Sequence, residues 1–168
     1  MENKKMKSKA KTIYLCQGAI IAASYVVLTY VTHMFGLDAG VIQLRVSEML
    51  CILPMFTSAA IPGLYLGCLL ANLLTGAVWL DVLIGPIATL VGALGTYALR
   101  KYKWLAPIPP IAANTVLVPF VLAYGYGIEQ AIPFMMLTVG IGEVLSIYLL
   151  GMIFYFSVEK RAEKIFHI

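Results

Sequence analysis

Apolar residues run along this chain in long stretches, and the charged ones gather at the joints between them. Six such segments, 13–35, 46–60, 62–80, 82–99, 108–124 and 132–158, are separated by short connections. About 20 apolar residues are what an α-helix needs to cross the hydrocarbon core of a bilayer. The pattern therefore predicts an all-α membrane protein, a bundle of six transmembrane helices. The second segment is short and holds Pro54, so residues 46–80 could instead form one kinked crossing.

Charge decides between the two. With six spans and a cytoplasmic N-terminus, Lys4, Lys5, Lys7, Lys9 and Lys11, then Arg100, Lys101 and Lys103, then Lys160, Arg161 and Lys164 all fall on the cytoplasmic side, as the positive-inside rule asks. Five spans would leave the Arg100 group outside. The six-span reading makes Arg45 the lone basic residue on the outer side, in the company of Asp38, Glu48, Asp81 and Glu129. Helix ends agree: Pro62, Pro110 and Pro133 suit a first helical turn, and Asp81 suits an N-cap. The expected organisation is a basic cytoplasmic arm (1–12), a six-helix bundle (13–158) and a basic cytoplasmic tail (159–168).

Composition supports this reading. With 61% hydrophobic and 12% charged residues and a mean hydropathy of +0.91, the chain cannot be folded around one aqueous core. The uncharged stretch 13–35 is too long for the core of a signal peptide and is read as a retained first helix. Cys16, Cys51 and Cys68 stand apart in apolar segments, without the spacing of a metal site or a disulfide framework.

Small residues mark packing faces. In the first helix Gly18 and Ala22, and Ala19 and Ala23, form overlapping small-x-x-x-small pairs, which let helix backbones approach where lipid offers no hydrophobic drive. Gly63, Gly67 and Ala71 form a strip on the third segment, and Gly85, Ala88, Gly92 and Thr96 another on the fourth. Those two strips are expected to pack on each other, leaving the first-helix strip free for internal packing or for a second protein.

Polar side chains at membrane depth are costly and face a cavity or a partner. Glu48 lies near the outer rim, Asn72 deeper, and Asn114 and Glu143 deeper still. They come from four different helices and all fall between the outer rim and the midplane, which points to an outward-opening pocket. Glu143 has no cation nearby in sequence. It is either a structural group, protonated or bonded to Asn114, or an acceptor for two adjacent N–H donors of a heterocycle. Arg45 and Glu48, three apart, fit a salt bridge or ligand contacts equally. Asp81 is a cap or a ligand contact, and His33 a rim contact or an interfacial residue. Trp79, beside Asp81, ranks first among the aromatics that could stack on a planar ligand, ahead of Tyr65, Tyr124, Tyr126 and Tyr148.

Chemistry that would make an enzyme is missing from the sequence. There is no G-x-x-x-x-G-K-[ST] phosphate loop, no H-E-x-x-H and no G-x-S-x-G, and only His33 and His167 could act as a base. No cofactor, metal or nucleic acid is expected.

The runs "QLRVSEMLCILPMFTSAAIPGLYLGCLLANLL", "WLDVLIGPIATLVGALGTYALRK", "APIPPIAANT" and "VGIGEV" resemble the queuosine-precursor transporter (QueT) family, substrate-binding S components of energy-coupling factor (ECF) transporters. The resemblance implies a six-helix S component of a bacterial plasma membrane that captures a 7-deazaguanine precursor, in aminomethyl or nitrile form. It also implies a transmembrane coupling (T) subunit and two ATPase subunits as partners, with Gly18, Ala19, Ala22 and Ala23 on the coupling-subunit face. The substrate contacts expected on depth and chemistry are Glu143, Asn114, Asn72, Glu48, Arg45, Asp81 and Trp79. Two rival readings stand beside this one, a solitary proton-coupled carrier and a non-transporting scaffold subunit.

Overall fold

The computed structural model describes residues 2–38 and 42–162. The side chains of Lys4, Lys5 and Lys7, and residues 163–168 with Lys164, lie outside the described residues. Six helical elements follow in chain order: α1 (Glu2–Met34), a 3₁₀ helix (Val46–Met55), α2 (Ala60–Leu74), α3 (Trp79–Ala98), α4 (Ile108–Tyr124) and a composite last helix. That last helix runs as α5 (Ile132–Glu143), a π turn (Val144–Leu150) and α6 (Gly151–Glu159). No strand occurs among the described residues. The lysine-rich arm is the first part of α1, because nothing in it breaks the helix.

Ser8–Met34, Trp79–Ala98 and Ile132–Glu159 are long and apolar enough to cross a membrane, whereas the 3₁₀ helix, α2 and α4 are shorter apolar helices. The second segment differs most from a plain α-helical span. At about 2.0 Å per residue a 3₁₀ helix is thin and extended, and Ser47, Glu48, Leu50, Cys51, Ile52, Leu53 and Pro54 are all buried. It runs back along α1: Thr29 Oγ1 donates to Ser47 Oγ at 2.8 Å near one end, and Thr57 Oγ1 to Gln17 Oε1 at 3.0 Å past the other. Ile21, Tyr25, Leu50, Cys51, Leu53, Leu64 and Cys68 make the core where α1, the 3₁₀ helix and α2 meet.

Gly85 of the α3 strip meets α2 at Asn72 and Cys68, as expected, but other glycines of the two strips face elsewhere. A Cβ on Gly63 would lie 2.7 Å from the Gly18 carbonyl, and one on Gly67 would lie 3.1 Å from Ala22 Cα, so the α2 strip faces α1. On α3, a Cβ on Gly92 would lie 2.6 Å from Pro110 Cα, and Gly95 packs just as closely on Pro109, so that end of α3 faces α4. Gly18 and Ala22 are thus used inside the chain, while Ala19 and Ala23 on the neighbouring face of α1 are exposed.

Candidate functional site

One end of the bundle gathers the last turns of α1, α2 and α4, the first turn of α3 and the 125–131 connection. Between them lies a cavity of about 320 Å³ lined by Thr29, His33, Asp38, Gln43, Arg45, Asn72, Thr75, Gly76, Ala77, Asp81, Leu122, Tyr126 and Ile128. Its volume is in the range of small-molecule sites. Gly76, at φ +71°, makes the sharp turn between α2 and α3 that brings Asn72 and Asp81 onto one wall.

Asp81 is the centre of this wall. Its N-cap role is not realised, because Val78 is the N-cap of α3 and Asp81 sits inside the first turn. Asp81 Oδ2 instead lies 3.5 Å from Arg45 Nη2 and accepts a hydrogen bond from Tyr126 Oη at 3.2 Å. Its Oδ1 is buried with no hydrogen-bond partner. Asn72 Nδ2 donates to the Asp81 main-chain carbonyl at 3.0 Å, fastening α2 to α3. Gly85, one turn along, leaves the room: a Cβ there would lie 2.7 Å from Asn72 Nδ2 and 3.0 Å from Asp81 Oδ1. Burial, and then the Asp81 charge, push the Tyr126 phenol above its ordinary value, which keeps it a donor. Across the cavity His33 Nδ1 and Asp38 Oδ2 are 2.9 Å apart, and Asp38 Oδ1 is again without a partner.

A second polar group lies behind Arg45. Glu48 is 2% exposed; its Oε1 accepts a hydrogen bond from Tyr25 Oη and its Oε2 one from Cys51 Sγ at 3.1 Å. The Glu48–Cys51 contact follows from 3₁₀ winding, which stacks residues i and i+3. Glu143, at the last turn of α5, is buried within electrostatic reach of both Glu48 and Arg45; Asn114 reaches its carboxyl, and Oε2 has no partner. The π turn that begins at Val144 packs on the 3₁₀ helix, so the two carboxylates stand where two irregular helices meet.

Of the residues expected to touch a substrate, Arg45, Asn72 and Asp81 share the cavity wall. Glu48, Asn114 and Glu143 form the buried group behind it. Trp79 joins neither: it is 71% exposed, because residues two apart on a helix point roughly 200° apart and Asp81 faces inward. Tyr126 is the aromatic at the cavity. Thr29, Gln43 and Thr75 escaped the sequence reading, since a polar residue near a helix end carries no signal of its own. No cluster of three or more metal-ligating side chains occurs among the described residues.

A strongly apolar helical bundle with a polar, carboxylate-walled cavity at one end is the architecture of a membrane protein with a cavity of small-molecule size. Residues 15–160 match the family described as QueT transporter, and the chain belongs to that family. The queuosine precursor transporter QueT of Lactococcus lactis subsp. cremoris is 38% identical over 96 residues, which cover 56% of this chain and 56% of that relative. The match thus spans about half the length of the curated relative. No solved structure matches the chain.

Proposed function

We propose that this chain is the substrate-binding S subunit of an ECF-type importer, taking up a 7-deazaguanine queuosine precursor in its aminomethyl or nitrile form. It crosses a bacterial plasma membrane six times with both termini cytoplasmic, so that the cavity faces outside. Lys103 Nζ, 5.4 Å from the Phe156 ring, supports that orientation, since it sets the basic connection after α3 beside the end of α6. The observation that carries the binding role is the buried Asp81 carboxylate on the cavity wall, with Asn72, Gln43 and Tyr126 as further polar contacts for a heterocycle edge. Lacking a phosphate loop, the chain would depend on two partner ATPases and a T subunit for release inward. Ala19 and Ala23, exposed on α1 beside Ile20 and Val27, are the part of the small-residue strip left for the T subunit.

The buried pair Glu48 and Glu143 favours a second reading, a solitary carrier in which one of these acids moves a proton. Thermal stabilisation of the purified chain by 7-deazaguanines, set against guanine, thiamine, riboflavin and biotin, tests the first reading, because a bound ligand raises the melting temperature by mass action. A rise with the deazaguanines alone is expected. No shift in a folded sample would sink it, and uptake that persists in cells lacking the ATPases would establish the solitary carrier.

A further inference from the structure

At the end of the bundle away from the cavity, the connection between α3 and α4 carries Arg100, Lys101 and Lys103 and no acidic residue. It is folded tightly: Tyr102 N–H donates to the Leu99 carbonyl at 2.8 Å, Ala106 N–H to the Tyr102 carbonyl at 3.0 Å, and Thr96 Oγ1 to the Ala106 carbonyl at 2.9 Å. The Arg100 guanidinium is spent on Tyr97, whose carbonyl accepts from Nη1 at 3.0 Å and whose ring centroid lies 4.0 Å away. Lys103 Nζ stands 5.9 Å from the Trp104 ring and 5.4 Å from the Phe156 ring, a pair of cation–π contacts that give it no hydrogen-bond acceptor. Lys101 is exposed, and neither lysine makes an ion pair among the described residues. Glu159 at the end of α6 accepts from Tyr155 Oη at 2.8 Å. Two rigidly placed lysines are thus left without an anion.

Beside this connection an apolar groove of about 600 Å³ lies between α4 and α5, with Ile111, Thr115, Leu137, Gly140, Ile141 and Val144 in its walls. Tyr148, about one turn beyond Val144, donates to the Trp104 carbonyl at 3.4 Å, so the groove ends next to the two lysines. On α4 the exposed Ile108 continues its line, and Thr115 lies about 10 Å further along the helix, within the ~15 Å of one leaflet. We propose that this end of the chain holds an anionic phospholipid, its phosphate on Lys101 and Lys103 and one acyl chain in the α4–α5 groove. Basic groups beside membrane helices recognise anionic headgroups by charge, and the exposed rings of Tyr102 and Trp104 suit the headgroup level. A free phosphate or an acidic protein would use the lysines and leave the groove unused. The proposal stands apart from the substrate reading, since it concerns the opposite end of the bundle.

The test uses Trp104 as its own reporter. In the full chain carrying Trp79→Phe, Trp104 is the sole tryptophan. The protein is reconstituted in mixed bilayers of phosphatidylglycerol and phosphatidylcholine in which one lipid or the other carries bromine on its acyl chains, and quenching of Trp104 fluorescence is read. Phosphatidylglycerol is expected to be preferred at Trp104 by at least about fivefold, the scale of one lysine at a charged membrane surface. With Lys101→Gln and Lys103→Gln together, the preference is expected to fall to about one, and high salt is expected to weaken it in the parent. Gly140→Leu, which fills the groove, is expected to lower quenching by both lipids; should it not fold, Ile141→Phe is expected to do the same. Equal quenching by the two lipids in the parent overturns the proposal and returns the lysines to solvent or to an acidic protein. A preference that survives the double lysine variant overturns the headgroup assignment, and unchanged quenching in a folded groove variant overturns the acyl-chain assignment.

Discussion

Arg45 pairs with Asp81 at 3.5 Å and leaves Glu48, three residues along the chain, to Tyr25 and Cys51. The cause is local. Arg45 is the N-cap of the 3₁₀ helix, with an extended backbone (φ −107°, ψ 98°), so its side chain leaves the helical face on which Glu48 stands. Arg45 therefore belongs to the cavity wall, where it partly offsets a buried carboxylate.

Removing one member of such a pair costs more than removing both. Arg45→Gln is expected to destabilise the chain by about 3 kcal/mol, the low end for a broken buried pair, since a fifth of the arginine side chain is exposed. The double variant with Asp81→Asn is expected to lose less than the sum of the two single variants. Unfolding in denaturing detergent measures all four forms, and strict additivity would show that the pair carries no coupling.

Two glycines on α5 differ sharply in what surrounds them. A Cβ on Gly142 would collide with the Gln43 carbonyl, at the start of the cavity wall, whereas one on Gly140 would meet Thr115 at 3.4 Å, an ordinary contact. Gly142→Ala is expected to cost about 1–3 kcal/mol, as overpacking does, and to weaken ligand binding; Gly140→Ala is expected to be close to neutral. Equal melting temperatures for the two variants would contradict the approach of Gln43 to α5.

Glu143→Gln keeps the volume and the contact with Asn114, and removes a carboxylate whose Oε2 is unpartnered beside Glu48. Stability is expected to stay level or rise by about 1 kcal/mol. Ligand affinity is expected to fall less than in Asp81→Asn. A larger fall, measured by titration, would move the ligand below the cavity wall into the buried group.

Tyr126→Phe deletes the hydrogen bond to Asp81 Oδ2. The residue is 45% exposed, so the loss is expected to be below about 1 kcal/mol. Its pH dependence is distinctive. The phenol is held above the ordinary value of 10.0, first by burial and then by Asp81, so its contribution is complete below pH 10.0 and is lost as pH rises through the folded-state value. The stability difference between parent and variant should be flat through neutrality and shrink in strong alkali; a difference that grows there would reverse the assignment of donor and acceptor.

The apolar runs made the six helical elements legible, because long apolar stretches between short connections leave few alternatives. Winding was not legible: a buried run such as 46–55 reads alike as α or 3₁₀, and Pro54 alone hinted at the difference. Arg45, Asn72 and Asp81 stood out as polar groups in apolar surroundings. Trp79 was drawn in by its nearness to Asp81 in sequence, though two steps along a helix turn a side chain to the far side. The partners of Gly63, Gly67 and Gly92 were hidden as well, since sequence order joins α2 to α3 while the 3₁₀ helix folds back and lets α2 lie along α1.

The π turn at Val144–Leu150 carries a further consequence for the last helix. A π turn takes in more residues than an α turn, so it sets the phase between Glu143 above and the aromatic residues below. Winding the same residues as plain α-helix, with the surplus residue no longer absorbed, would rotate everything downstream by about 100°. Tyr155, stacked on Phe56 at 5.0 Å, would then swing away from its neighbour while Glu143 stayed where it is. The segment acts as a phase adjuster: one surplus residue lets a single helix serve a buried carboxylate at one end and an aromatic stack at the other.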